Sequence, residues 1–380
     1  MKALVFDKSK LSWEDSRGFE KVEVLDPIIN EQQNPSDANY IIIKVMYAGV
    51  CGSDRGIWNR TAFGDQILKS LEKEKNDVRI IGHEFFGEII TVGSNVGSLK
   101  IGDKVAFESH LICKKCFQCK NKQENVCSNQ LILGISHNGG FAEFAKIPAY
   151  VAWKTDINKI RPEIAVLQEP FGNAVHAASK VNIKDKSVVI FGLGPIGLFL
   201  LLILKHLGAK IIIGVEVNEK AIKIAKDLGI DHIVKIKKSI DSKDYSYNKE
   251  VVKKIIEITG GLGEDVAFEM AGANNSLNNC IKSVRRGGDV VLFGLKNANF
   301  IIEDFTEIVM KGITLHSVAG RQVWKTWEMT KNILENNNIQ DKLWNIVLEG
   351  GNETIVDFKD YNKDLFEKKM AEHTKILLKF

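Results

Sequence analysis

Four of the six cysteines in this chain fall close together, in the spacing Cys113-x2-Cys116-x2-Cys119-x7-Cys127. A thiolate is a soft ligand that binds zinc at about 2.3 Å, and four of them complete a closed tetrahedral site. Such a site leaves no position open for chemistry, so the expectation is a structural zinc. A disulfide framework is the competing reading, but it suits small secreted chains. This chain is long, and its opening, MKALVFDKSKLSWED, has a short apolar run followed by charges rather than the apolar region of a signal peptide. The segment around the cysteines, KKCFQCKNKQENVCSN, is polar and rich in lysine. It has little with which to build a core, and metal binding would supply the folding energy that packing cannot.

Two further clusters lie upstream, Gly49-Val-Cys51-Gly-Ser53-Asp54 and Gly82-His83-Glu84. A catalytic zinc site takes about three protein ligands and keeps one position open. Cys51, His83 and a carboxylate could supply the three. Alone, each residue has an ordinary reading, since a single cysteine is a small buried hydrophobe and a single histidine a satisfied polar group. A third motif, Gly192-Leu-Gly194-Pro195-Ile196-Gly197, follows an apolar stretch that reads as a strand and opens an apolar helix. That context turns a weak glycine pattern into a dinucleotide-binding fingerprint. Gly192 makes the tight turn, Gly194 lets the backbone approach a pyrophosphate, and Gly197 allows helix and strand to pack closely. The phosphates are then held at a helix N-terminus. Glu216 ends the next strand, where a carboxylate accepts both adenosine ribose hydroxyls and repels a 2′-phosphate. The nearest cation is Lys220. NAD is therefore expected over NADP.

These groups need a scaffold to hold them. The 380 residues argue for about two domains. Hydrophobic residues make up 44% and charged residues 26%, a soluble composition with a substantial core. Lys and Arg number 52 against 48 Asp and Glu, and the two signs are interspersed. That mixture carries no nucleic-acid footprint. The longest apolar stretch, Val188 to Leu204, is broken by glycines and Pro195. It falls short of the roughly 20 residues a membrane span needs. No membrane and no nucleic-acid partner is expected, and a reducing cytoplasm is the expected setting.

The first 150 residues read as short strands with glycine turns, at Val22–Leu25, Tyr40–Tyr47, Phe86–Val92, Lys104–Phe107 and Phe141–Ile147. Between Thr61 and Val78 lies a charged segment, read as a solvated surface helix or loop. From about residue 170 strands and helices alternate. Strands are expected at Ser187–Phe191, Lys210–Val217, Asp265–Glu269 and Gly288–Gly294, with helices between them. That alternation predicts a doubly wound parallel sheet.

Taken together, GVCGSD, GHEFFGEI, the four-cysteine lobe and GLGPIG with Glu216 resemble the zinc-dependent medium-chain dehydrogenases. Within that superfamily the chain is most similar to the L-threonine 3-dehydrogenase group. The residues that carry this are ESHLIC before the lobe, Glu169-Pro-Phe-Gly-Asn-Ala-Val-His176, Glu216-Val-Asn-Glu219, and Gly320-Arg321 followed by Thr326-Trp327. The resemblance fades after about residue 335. It implies an α/β fold, with an N-terminal β-rich GroES-like barrel domain (1–172 and 318–380) and a Rossmann domain (173–317). It implies two zinc ions per chain, one catalytic and one structural, with NAD as cofactor and a small-molecule alcohol as substrate. Cys51, His83 and Glu84 match zinc ligands, and Glu169 matches a carboxylate that can take the fourth position. Asp54 matches a partner that orients the histidine. Ser53 matches the hydroxyl that takes the alcohol proton, and His110 a histidine near the active site. Arg321 reads either as a clamp for a substrate carboxylate or as a surface salt bridge. A homotetramer is also implied.

One departure stands out. The threonine enzymes carry a histidine five residues after the first zinc cysteine, where it passes the proton to solvent, and here that position is Gly56. The Thr61–Val78 insertion is also longer than the group's loop. The leading expectation is oxidation of L-threonine to 2-amino-3-oxobutanoate, and a polyol or sugar dehydrogenase of the same superfamily is the alternative. A non-catalytic binding or structural relative would have shed its metal ligands, and Cys51, His83 and Glu84 are all present.

Overall fold

In the computed structural model, residues 1–237, 245–273, 275–295 and 299–380 are described. The chain divides into two compact units, Met1–Pro170 with Leu334–Phe380, and Phe171–Ile333. The return to the first unit falls at Leu334, not at the expected 318. The segment before it belongs to the second unit for a physical reason. Arg321 is buried there and donates to Asn173 Oδ1 at 2.9 Å, and Trp327 and Thr330 are fully buried.

The first unit is built mainly on antiparallel strands, with Ile355–Asp357 and Leu377–Lys379 pairing in parallel. Its larger sheet runs Ala152–Lys154, Lys104–Phe107, Glu84–Val92, Tyr40–Gly49, Leu377–Lys379, Ile355–Asp357, and Phe144–Pro148 also pairs with Tyr40–Gly49. Alternate residues of these strands point inward: Ile41, Ile43, Val45, Phe85, Ile89, Val105 and Phe107 form one buried cluster. A second sheet joins Glu20–Glu23, Lys2–Asp7 and Val78–Ile80. The N-terminal apolar run is thus a buried strand that sequence reading passed over.

The insertion is more than a solvated segment. It contains the helix Gly64–Glu74, whose Ile67 and Leu71 are fully buried in the core cluster of the first unit. The i, i+4 spacing of these two residues gives the charged sequence an apolar stripe. Arg79, itself buried, secures the helix by donating to Glu74 Oε2 at 2.8 Å and Ser70 Oγ at 3.0 Å.

The second unit holds a six-stranded sheet in which every pairing is parallel. Its order is His232–Lys235, Ile211–Glu216, Ser187–Phe191, Glu264–Glu269, Val284–Leu292, Thr314–Ser317. Ser187–Phe191 comes first in the chain, yet it lies in the middle, so the winding reverses between it and Glu264–Glu269. In open α/β sheets ligands bind beyond the carboxyl ends of the strands at that switch point. No helix among the described residues is long and apolar enough to cross a membrane.

Candidate metal centres and dinucleotide crevice

Cys51 ends the strand Tyr40–Gly49 by two residues and caps the helix Gly52–Trp58. Its backbone N–H donates to Asp54 Oδ2 at 2.9 Å, which fixes the first turn. His83 and Glu84 stand where the strand Glu84–Val92 begins, beside Gly49 in register. One ligand-type atom from each of Cys51, His83 and Glu84 lies within 4.8 Å of the others. His83 Nδ1 faces Asp54 Oδ1 at 3.4 Å, while Nε2 lies 3.2 Å from Ser53 Oγ. Asp54 thus holds the ring from behind, as a partner of a metal-bound imidazole does.

The electrostatics fit a cation. Burial works against charge on His83, yet Asp54 and Cys51 hold its pKa well above the ordinary value. Burial pushes Glu84 up, Lys375 opposes the shift, and Glu169 adds to it. Glu84 Oε1 is buried with no hydrogen-bond partner. A dication would satisfy that oxygen and take the place of the proton His83 otherwise attracts.

Glu169 stands apart from the three-residue set, although its charge is felt at Glu84. Its Oε1 accepts from Ser109 Oγ at 2.7 Å. His110, next along the chain, pairs through Nδ1 with the buried Glu108 carboxylate at 2.9 Å. Glu108 and Ser109 belong to the ESHLIC segment, but nothing in their spacing assigns either of them a role at the site. At Gly56 an added Cβ would meet Ala62 Cβ at 2.8 Å. The insertion therefore occupies the space a side chain at the histidine position would need.

The four lobe sulfurs of Cys113, Cys116, Cys119 and Cys127 also lie within 4.8 Å of one another, and all four thiols are free. Backbone N–H groups converge on them: Cys116 N on Cys113 Sγ and Asn129 N on Cys127 Sγ, both at 3.4 Å. The backbone N–H of Lys115 helps hold Cys113 down to about 6. Burial and the neighbouring sulfurs push Cys119 up to about 12. Crowding of this kind keeps the four thiols from ionising together until a metal ion neutralises their charge.

In the second unit, Gly192 turns the chain at φ +98° directly after Ser187–Phe191. A Cβ on Gly197 would meet Gly192 O at 2.1 Å, whereas one on Gly194 would meet nothing within 4 Å. The helix Pro195–His206 starts there, with Pro195 and Ile196 in its first turn. Glu216 Oε2 accepts from Leu193 N at 2.7 Å, and Oε1 from Val217 N at 2.7 Å and Asn218 N at 2.9 Å. These bonds fix the carboxylate against the glycine turn and engage both lone pairs of Oε1, while Oε2 keeps one for a further donor. Two motifs singled out in sequence also meet in this unit. His176 Nδ1 lies 2.7 Å from Gly320 O, and Arg321 pairs with Asn173. Arg321 is buried rather than at the surface.

A β unit with a three-ligand metal cluster and a four-cysteine lobe, together with a doubly wound nucleotide-binding unit, defines a metal-dependent dehydrogenase. Comparison with known proteins agrees. Residues 37–157 match the alcohol dehydrogenase GroES-like domain, and residues 195–336 the zinc-binding dehydrogenase family. The chain is 35% identical to an L-threonine 3-dehydrogenase of Pyrococcus furiosus over 299 residues, 79% of this chain and 81% of the relative. An L-threonine 3-dehydrogenase of Bacillus licheniformis is 33% identical over 80% of this chain and 83% of its own length. Among solved structures, alcohol dehydrogenase TADH from Thermus sp. ATN1 superposes with a TM-score of 0.80 at 22% identity, covering 100% of this chain and 99% of its own. The chain belongs to the zinc-binding dehydrogenase family of the medium-chain type. It is an oxidoreductase of the zinc- and nicotinamide-dependent class.

Proposed function

We propose that this enzyme oxidises L-threonine at its secondary alcohol to 2-amino-3-oxobutanoate, with NAD as hydride acceptor. The observation that carries the reading is the convergence of half-buried Cys51 with buried His83 and Glu84 beside Ser53. Zinc held by these three residues would supply Lewis acidity towards an alcohol oxygen. Ser53 is placed to take the hydroxyl proton. Asp54 keeps the His83 ring oriented, with Nε2 turned towards Ser53. Glu169, secured by Ser109, is the carboxylate proposed to exchange at the fourth position. His110, paired with Glu108, stands in for the proton carrier that Gly56 excludes. In the second unit, Gly192, Gly194 and Gly197 cradle the pyrophosphate, and the Pro195–His206 helix turns its N-terminus to it. NAD supplies the hydride chemistry, and the protein supplies position and electrostatics.

Threonine is favoured by the motifs shared with the threonine enzymes and by the identity to relatives that bear that name. Gly56, closed off by Ala62, favours a second reading, a polyol or sugar substrate. Turnover of threonine, sorbitol, glucose and other polyols at equal concentration separates the two. Threonine is expected to give the highest kcat/KM by at least about tenfold, a gap of roughly 1.4 kcal/mol in transition-state binding. Robust turnover of a sugar with none of threonine would overturn the substrate assignment and leave the metal and cofactor readings standing.

Glu216 gives a separate test. NAD is expected to be preferred because its carboxylate meets the ribose diol. Glu216→Ala should narrow the ratio of kcat/KM for NAD over NADP by roughly tenfold or more, the worth of one or two charge-assisted hydrogen bonds. Equal use of the two cofactors by the unmutated enzyme would defeat this assignment. The copies are proposed to assemble as a homotetramer. Exposed Phe305, Val309 and Met310 on the helix Phe305–Lys311 support association of copies.

A further inference from the structure

The C-terminal segment delivers a buried charge to the metal cluster. Leu377 pairs with Gly49 in register, and Val50 N donates to Ile376 O at 3.0 Å. Arg55, on the helix that Cys51 caps, donates to His373 O at 2.9 Å and Thr374 O at 3.3 Å. Between these anchors Lys375 turns inward and is 1% exposed. Its ammonium is paired with Glu84 Oε2 and donates to Val50 O at 3.0 Å. Gly49 leaves room for this pair, since a Cβ there would lie 2.4 Å from Glu84 Oε2. Glu84 is fully buried, and its Oε1 has no hydrogen-bond partner.

One carboxylate thus has two claimants, a fixed ammonium on one oxygen and the metal position on its other side. We propose that Lys375 is a positioning residue of the metal site. It holds Glu84 Oε2 and leaves Oε1 for the ion, and it sets how tightly the site binds its metal by adding one positive charge beside it. A buried charge of this kind acts strongly, because little solvent screens it. The inference rests on the metal-site reading above and deepens it.

The test is zinc affinity by chelator competition, together with the visible spectrum of the cobalt-loaded protein. Lys375→Met is expected to tighten zinc at the Cys51 site by at least about tenfold. It should also weaken and shift the cobalt bands, as both oxygens of Glu84 become available and the coordination number rises. Glu84→Gln should weaken zinc binding by leaving the ammonium unopposed beside the ion. Adding Lys375→Met to Glu84→Gln should then recover affinity by at least several-fold. Unchanged affinity and an unchanged cobalt spectrum in Lys375→Met would overturn the inference. If that variant fails to fold, Glu84→Gln/Lys375→Met binding no tighter than Glu84→Gln would do the same. Unmutated protein that binds only the zinc of the cysteine lobe defeats the metal-site reading itself, a result distinct from either.

Discussion

Cys51→Ser is expected to lower kcat by about a thousandfold or more, to remove one zinc per chain and to leave the fold intact. The activity loss follows from the several kcal/mol of charge stabilisation that a catalytic metal supplies. The intact fold follows from local structure. Cys51 is the N-cap of the helix Gly52–Trp58, in a capping box where its backbone N–H donates to Asp54 Oδ2 and its side chain accepts from the Asp54 backbone N–H. Serine is a favoured N-cap residue, so the helix should start as before. Metal analysis, a thermal melt and initial rates on the same sample check all three parts. Retained activity in Cys51→Ser with its full zinc content would contradict the assignment.

Cys116→Ser should act in the opposite way, on stability first. Cys116 is the N-cap of the short helix Phe117–Lys120, so serine again suits the backbone. What it removes is one of four sulfurs in a lobe whose Phe117 is 73% exposed and whose interior is little more than the sulfurs themselves. Metal binding is folding energy in such a segment. A loss of about 3 kcal/mol or more is expected, with Tm lowered by roughly 5 °C or more. Proteolysis should begin between Cys113 and Cys127, where the loss is local. A variant as stable and protease-resistant as the parent would show that the lobe holds itself together without metal.

The chemistry-bearing residues were legible because metals and phosphates demand particular atoms at short range. Cys113, Cys116, Cys119 and Cys127 had to lie close in sequence to close a tetrahedral site in a loop. The glycines at 192, 194 and 197 had to stand between a strand and a helix, and the structure brings Glu216 back to that turn through Leu193 N. Cys51 and His83 lie 32 residues apart, and only the pairing of Tyr40–Gly49 with Glu84–Val92 brings them together. Lys375 left no such mark. Its role depends on the strand Leu377–Lys379 crossing from the far end of the chain to the strand before Cys51, and no local pattern announces that register. The insertion forms the expected charged surface helix, but its docking is hidden in the sequence for another reason. Its lysines and glutamates dominate the composition, while only Ile67 and Leu71 decide that the helix docks. The strand Lys2–Asp7 was passed over because five of its six residues are buried and show no alternation of apolar and polar side chains.

The central claim is that one zinc ion held by Cys51, His83 and Glu84 drives alcohol oxidation while a second only supports the lobe. Zinc content measured alongside NAD reduction tests it most directly, on freshly purified protein and after stepwise chelation. The account predicts two zinc ions per chain in active protein. It also predicts a chelated form with one zinc, still folded, whose alcohol-dependent NADH formation is abolished and returns when zinc is added. Full activity in folded protein holding a single zinc or none would contradict it.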